Sequence, residues 1–159
     1  MPNWTYNSVL FVGKENQLKK LQTMLKSDDN EFDFNNVIPM PNELSDTVSG
    51  SESAKPEWQK KRSQELMNKY GADNWYDWSI MNWGTKWNAC DTEVEYEGGY
   101  LSYRFNTAWD APRRIAEALL RMQKTILQDI SIEWNCSHED GDEEETLIDI
   151  ETDYDIQTS

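Results

Sequence analysis

Two cysteines, one histidine and thirty carboxylates are the side chains of this sequence with the widest chemical reach, and their spacing limits what they can do. Cys136 and His138 stand two apart, so on a strand both would point the same way and offer two ligands to a zinc-like metal. Cys90 would be a third ligand only if the fold brought it near. His138 is the only histidine, so a Cys–His or Ser–His nucleophile pair has no evident supports. The run HEDGDEEE from His138 to Glu145 holds carboxylates but lacks the D-x-D-x-D-G order and twelfth-position Glu of a calcium loop. Asp73 and Asp77 flank tryptophans as paired acids do in sugar-cleaving sites, yet acids four apart are common on any surface. Neither GxxxxGK[ST] nor GxGxxG occurs. The sequence therefore predicts no catalytic residue, no metal and no cofactor, and a hydrolase is kept only as a lesser alternative.

Rings and charge carry more information. The fifteen residues from Asp73 to Trp87 hold Trp75, Tyr76, Trp78, Trp83 and Trp87, four of the eight tryptophans of the chain. No single period sets all four indoles on one side, which predicts an irregular belt across a sheet edge rather than a helix or strand. Buried indoles need partners for their N–H groups, and Asp77, Asn82, Thr85 and Lys86 are the candidates. Trp83, Trp87 and Trp109 could instead stack bases, with Lys86 as the phosphate contact. Against that, Lys86 is the only cation of the belt, and the same rings can fill the gap between an inserted helix and a sheet.

The net charge is −15, and it is uneven. From Ser137 to the end there are ten acids (Glu139, Asp140, Asp142, Glu143, Glu144, Glu145, Asp149, Glu151, Asp153 and Asp155) and no Lys or Arg. The first 136 residues carry 20 acids and 15 bases. A field of that sign disfavours direct binding to nucleic acid or to an anionic membrane surface, and it favours a basic partner or simple solvation. No apolar run is long enough to span a membrane and no charged-then-apolar leader is present, so a cytoplasmic protein is expected, with both cysteines as free thiols.

These groups must be positioned by elements that the pattern also predicts. Val9 to Val12 reads as a central strand closed at Gly13, and Glu15 to Lys26 as a helix with Leu18, Leu21, Met24 and Leu25 inward and a lysine-rich last turn. Phe32 to Pro41 is extended, an edge segment or a buried loop, because Pro39 and Pro41 cannot donate to a ladder. Asn42 to Lys55 reads as a mobile loop. A helix opens at Pro56 and closes at Gly71, with Trp58, Leu66, Met67 and Tyr70 as its apolar side. Strict alternation around Gly98-Gly99 predicts a hairpin with Val94 opposite Tyr103, Tyr96 opposite Leu101 and Glu93 opposite Arg104, its turn using positive φ. Asp110 is the expected N-cap of a helix whose inward stripe is Ile115, Leu119, Met122 and Ile126, with Glu117 and Arg121 paired outside. Ile130, Ile132, Trp134 and Cys136 alternate as the last core strand, and Thr146 to Ile150 could add an edge strand before the chain frays. With an insertion at 42–87 set aside, the order is βα–ββ–αβ: an α+β, ferredoxin-like split βαβ plan over residues 1–136, an antiparallel sheet with helices on one face, and an acidic extension over 137–159.

Five segments in this order, MPNW-x-x-N, FDFN-x-x-IPMP, WYDW-x-x-x-NWGTKW, F-x-TAW-x-x-P and the closing strand, give a chain that resembles the YubB-like ferredoxin-like domain proteins of plasmids and bacteriophages. The likeness runs from Met1 to about Cys136. Its most specific residues are Asn3 and Trp4, the run Asn82, Trp83, Gly84, Thr85, Lys86 and Trp87, and the triplet Thr107, Ala108 and Trp109. The resemblance implies a ferredoxin-like fold and a mobile-element origin, with no activity to carry over. Two departures stand out: TAW-x-PP reads TAWDAP here, and the acidic tail is an addition.

The functional expectation is a non-enzymatic accessory protein of a phage or similar element. It would bind a host protein with a basic surface, of the nucleic-acid-targeting defence-enzyme kind, by presenting carboxylates in place of a nucleic-acid backbone. The alternative from another class is a nucleotide or single-strand binding module using Trp83, Lys86, Trp87 and Trp109. Oligomeric state is left open by the sequence.

Overall fold

The structure is a computed structural model that describes residues 3–45, 47, 56–139, 141 and 143–149. Asp140, Asp142, Glu151, Asp153 and Asp155, the greater part of the expected mobile loop, and the fraying end lie outside the described residues. The chain is α+β. Strands β1 (Trp4–Val12), β2 (Cys90–Glu97), β3 (Tyr100–Ala108), β4 (Ser131–His138) and β5 (Glu144–Ile148) form one antiparallel sheet in the order β2-β3-β1-β4-β5. Helices α1 (Glu15–Leu25), α2 (Asn42–Ser45), α3 (Glu57–Tyr70), α4 (Trp75–Asn82) and α5 (Arg113–Gln123) complete it. This arrangement is compatible with a ferredoxin-like fold.

Period-2 alternation decides which face is covered. Val9 and Phe11 of β1, Leu101, Tyr103 and Phe105 of β3, and Ile132 and Trp134 of β4 are buried, and they share one core with Leu18, Leu21 and Leu25 of α1 and Ile115 and Leu119 of α5. The other face stays open, with Tyr6, Ser8, Arg104, Glu93 and Glu95 exposed. Phe32 enters the core as a loop residue, its ring edge-on to Tyr103 at 5.1 Å and tilted against Phe105 at 5.2 Å. Phe32 to Pro41 is thus a loop outside the sheet, anchored by buried Phe32 and Phe34 and tightened by a 3₁₀ turn at Phe34–Asn36.

The hairpin has the expected register, with Val94 opposite Tyr103, Tyr96 opposite Leu101 and Glu93 opposite Arg104. Its turn differs: neither Gly98 nor Gly99 takes a positive φ. β1 lies third of five, as a continuous apolar run requires, and α3 closes on Gly71 at φ 78°. The apolar side of α3 is narrower than expected. Leu66 is its one buried residue, Trp58 is 68% exposed and Met67 is half-exposed.

Several boundaries move for local reasons. α1 has no base in its last turn because it ends at Leu25 and leaves Lys26 as the C-cap. The loop after Pro41 opens with the short helix α2, anchored by buried Leu44. Residues 75–82 of the belt are helical, not irregular: Asn74 caps the helix by accepting from the Asp77 N–H at 2.9 Å and donates to the Asp77 carboxylate at 2.9 Å. Trp83 and Trp87 lie beyond the helix, so no shared face is required of the four indoles. α5 begins at Arg113 with Pro112 as N-cap, and Asp110 holds the turn before it by accepting from the Ala111 N–H. Its stripe stops at Met122. Ile126 falls in the turns beyond and is exposed, and Glu117 pairs with Arg114 rather than Arg121. β5 spans Glu144–Ile148, two residues earlier than the pattern predicted.

Candidate functional site

The covered face of the sheet changes character along the strands. At one end it is apolar. At the other, where β1 starts and β3 and β4 finish, it carries Thr5, Asn7, Thr107, Cys136 and His138. Register puts Thr5 opposite both Thr107 and His138, and Asn7 opposite both Phe105 and Cys136. Asn7 is the hub of this end. Its amide donates to Thr107 Oγ1 at 3.0 Å and to the Thr5 carbonyl at 3.2 Å, and its oxygen accepts from the Trp134 indole N–H at 3.1 Å. A buried amide needs such partners, because each one lost costs about 1–3 kcal/mol.

Motif residues gather around this polar end. The Thr85 hydroxyl, buried, donates to the Ala108 carbonyl at 2.7 Å, and Thr107 Oγ1 donates to the Asp110 carbonyl at 2.7 Å. Gly84 sits at φ 88°, and a Cβ there would lie 2.9 Å from the Arg113 backbone nitrogen, so the chain passes α5 too closely for any side chain. Trp109 takes φ 74°, its N–H donating to the Asn3 carbonyl at 2.8 Å. The Trp4 N–H donates to the Glu139 carboxylate at 2.8 Å, and the Trp4 ring lies 6.2 Å from Trp87. Lys86 Nζ stands 4.7 Å over the Trp87 ring and 5.5 Å over Tyr76.

The indoles divide by role. Trp83 is buried, edge-on to Trp78 and Phe34, and its N–H donates to the Ile38 carbonyl at 2.8 Å. Neither Asp77, Asn82, Thr85 nor Lys86 supplies that partner: Asn82 donates to the Trp78 carbonyl, and Asp77 belongs to the α4 cap. Trp87 is half-buried under Lys86. Trp109 is 52% exposed. Asp73 and Asp77 both accept from the Asn74 amide, a helix-capping arrangement.

Charge enters through α5. The Arg113 guanidinium donates to Asp110 Oδ2 at 3.1 Å and to Glu145 Oε1 at 2.9 Å, and its second arm donates to Glu145 Oε2. The two hydrogen bonds from Arg113 hold the Glu145 carboxyl below its usual range, and in return push the guanidinium further up. Glu145, expected as one of a run of outward acids, is thus tied to α5. Cys136 lies beside it as its cross-strand partner, and burial, then the Glu145 charge, pushes the thiol up to about 11. Such a thiol stays protonated at neutral pH and is a poor free nucleophile. His138 Nδ1 lies 3.0 Å from Thr5 Oγ1.

Among the described residues Cys136, His138 and Glu145 form a group whose ligand atoms all lie within 4.8 Å of one another. Cys90, the third ligand weighed from sequence, is on β2, three strands away from β4 or about 14 Å. The third member is Glu145, and nothing local in the sequence pairs it with Cys136; only the β4–β5 register does.

Many of the other described acids are exposed. Asp91, Glu93, Glu95 and Glu97 on β2 are exposed, as are Glu139, Glu143, Glu144 and Asp149 around β5, while Glu133 on β4 is half-buried. Arg104 is the exposed base among them on the open face of β3. No helix among the described residues is long and apolar enough to cross a membrane. Comparisons of the chain with protein-family models, with curated proteins and with solved structures find no match.

Proposed function

We propose that this chain is an accessory protein of a phage or related mobile element, cytoplasmic in the bacterial host, that works by binding a basic, nucleic-acid-handling host protein and blocking it. The observation that carries this reading is the pairing of an open sheet face with a one-sided charge. Glu93, Glu95 and Glu97 follow one another along β2 at about 6.6 Å, and Glu143 and Glu144 extend the acidic surface at the opposite edge. The strand order, with β1 between β3 and β4, supports a split βαβ core. A surface of this kind steers a cationic partner and repels nucleic acid.

The test uses the full chain with Glu93, Glu95, Glu143 and Glu144 changed to Gln; Glu145 is left intact because it holds α5. Immobilised wild-type protein should retain nucleic-acid-binding proteins from host extract and release them to salt or competing duplex DNA. The amide variant should retain less, with a shallower salt dependence. Equal retention by the two would overturn the reading. The stacking alternative rests on Trp109, the exposed indole of the three. Quenching of tryptophan emission by short oligonucleotides, lost in Trp109→Ala, would favour it instead.

A further inference from the structure

We propose that Cys136, His138 and Glu145 form a three-ligand site for a divalent transition metal of the zinc type, with a fourth position left to water. The inference is independent of the partner-binding reading. Four observations carry it. The first is the donor set: one thiol, one imidazole and one carboxylate, each of them a zinc ligand. The second is convergence. Cys136 and His138 project from the same side of β4, Glu145 is the cross-strand neighbour of Cys136, and all three ligand atoms lie within 4.8 Å. Tetrahedral coordination at bond lengths of 2.0–2.3 Å sets ligands about 3.3–3.8 Å apart, a contraction of about an ångström that side-chain rotation can supply.

The third observation is the support around the ligands. A buried threonine hydroxyl lies 3.0 Å from His138 Nδ1. In the tautomer where Nδ1–H donates to Thr5, the Nε2 lone pair is free for a metal, which is how metal-bound histidines are generally oriented. Arg113, itself held by Asp110, donates to both oxygens of the Glu145 carboxylate and fixes it beside Cys136. The fourth is charge. Glu145 and Asp110 outnumber the Arg113 guanidinium beside Cys136, so the surroundings are negative even with their resident cation, and a bound thiolate would deepen that. Arg113 shares Glu145 with the metal, which limits affinity without closing the site. Cys136 is buried and His138 half-buried, while the Glu145 side chain, 42% exposed, leaves water access to the fourth position.

The test is cobalt titration of the full chain under a non-chelating reductant. One equivalent of Co²⁺ should produce thiolate-to-cobalt charge-transfer absorption in the near ultraviolet and four-coordinate ligand-field bands in the visible, both erased by Zn²⁺. Cys90→Ser should keep these bands and Cys136→Ser should lose the charge-transfer band. His138→Gln and Glu145→Gln should each weaken binding about tenfold or more, and Thr5→Val about tenfold. Circular dichroism of each metal-free variant guards against misfolding. The site is refuted by a wild-type chain with no charge-transfer band, by a band that survives Cys136→Ser or needs Cys90, or by Glu145→Gln binding cobalt as wild type does.

Discussion

A glycine, an asparagine and an arginine hold the polar end of the sheet, each for a different physical reason. Gly84 lets NWGTKW pass against the start of α5, where its φ of 88° and the 2.9 Å approach to Arg113 N leave no room for a Cβ. Gly84→Ala should therefore destabilise the protein by about 1–3 kcal/mol, the cost of a non-glycine residue in a left-handed conformation with a backbone contact added. The drop should appear as a lower urea midpoint with unchanged slope. Asn7 satisfies Trp134, Thr107 and the Thr5 carbonyl together, so a threonine-rich strand end can be buried. Arg113 bridges Asp110 and Glu145, 35 positions apart in sequence, and joins β5 to the start of α5.

At the scale of elements, α2 and α3 are joined by Glu43. Its carboxylate accepts from Arg62 at 2.6 Å, Tyr70 at 2.7 Å and Lys69 at 3.0 Å, and these hydrogen bonds, that of Tyr70 first, hold it at about 2. A carboxyl whose folded value lies below its unfolded value stabilises the fold above the unfolded value, and that stabilisation is lost as pH falls towards the folded one. Stability should therefore decline between about pH 4.5 and pH 2 in part through this group. Glu43→Gln should flatten the decline measured by urea unfolding across that window, while an equal slope in both proteins would remove Glu43 from the account. The hairpin β2–β3 was legible in sequence because its alternation and its two-residue turn are local. α5 was legible in its inward stripe as far as Met122 but not at its start or its end, since Asp110 is drawn to Arg113, Pro112 takes the cap instead, and Ile126 lies beyond the helix.

For the whole molecule the dominant fact is a net charge of −15. Self-repulsion on that scale opposes compactness and is screened by salt. The thermal midpoint should rise as ionic strength goes from about 0.01 M to about 0.15 M, where the Debye length shrinks from about 30 Å to about 8 Å. A midpoint that fell would place surface ion pairs such as Lys19–Glu15 and Arg62–Glu43 above repulsion in the balance. Among the described residues the helices pack on one face of the sheet, and Glu93, Glu95 and Arg104 stay exposed on the other.

Of the candidate site, the sequence could show Cys136 and His138 as neighbours on a strand, the tryptophans as a group and the acids as a run. It could not show Glu145 turning back to Arg113, Thr5 meeting His138, or Trp83 finding the Ile38 carbonyl. Strand identity, hairpin register and the apolar stripes follow from periods of 2 and 3.6 residues, which any few consecutive residues express. The meeting of β1, β4, β5 and the start of α5 depends on which strands lie side by side and in what register. That choice is made by burial of the whole core at once, and so only the tertiary structure decided it.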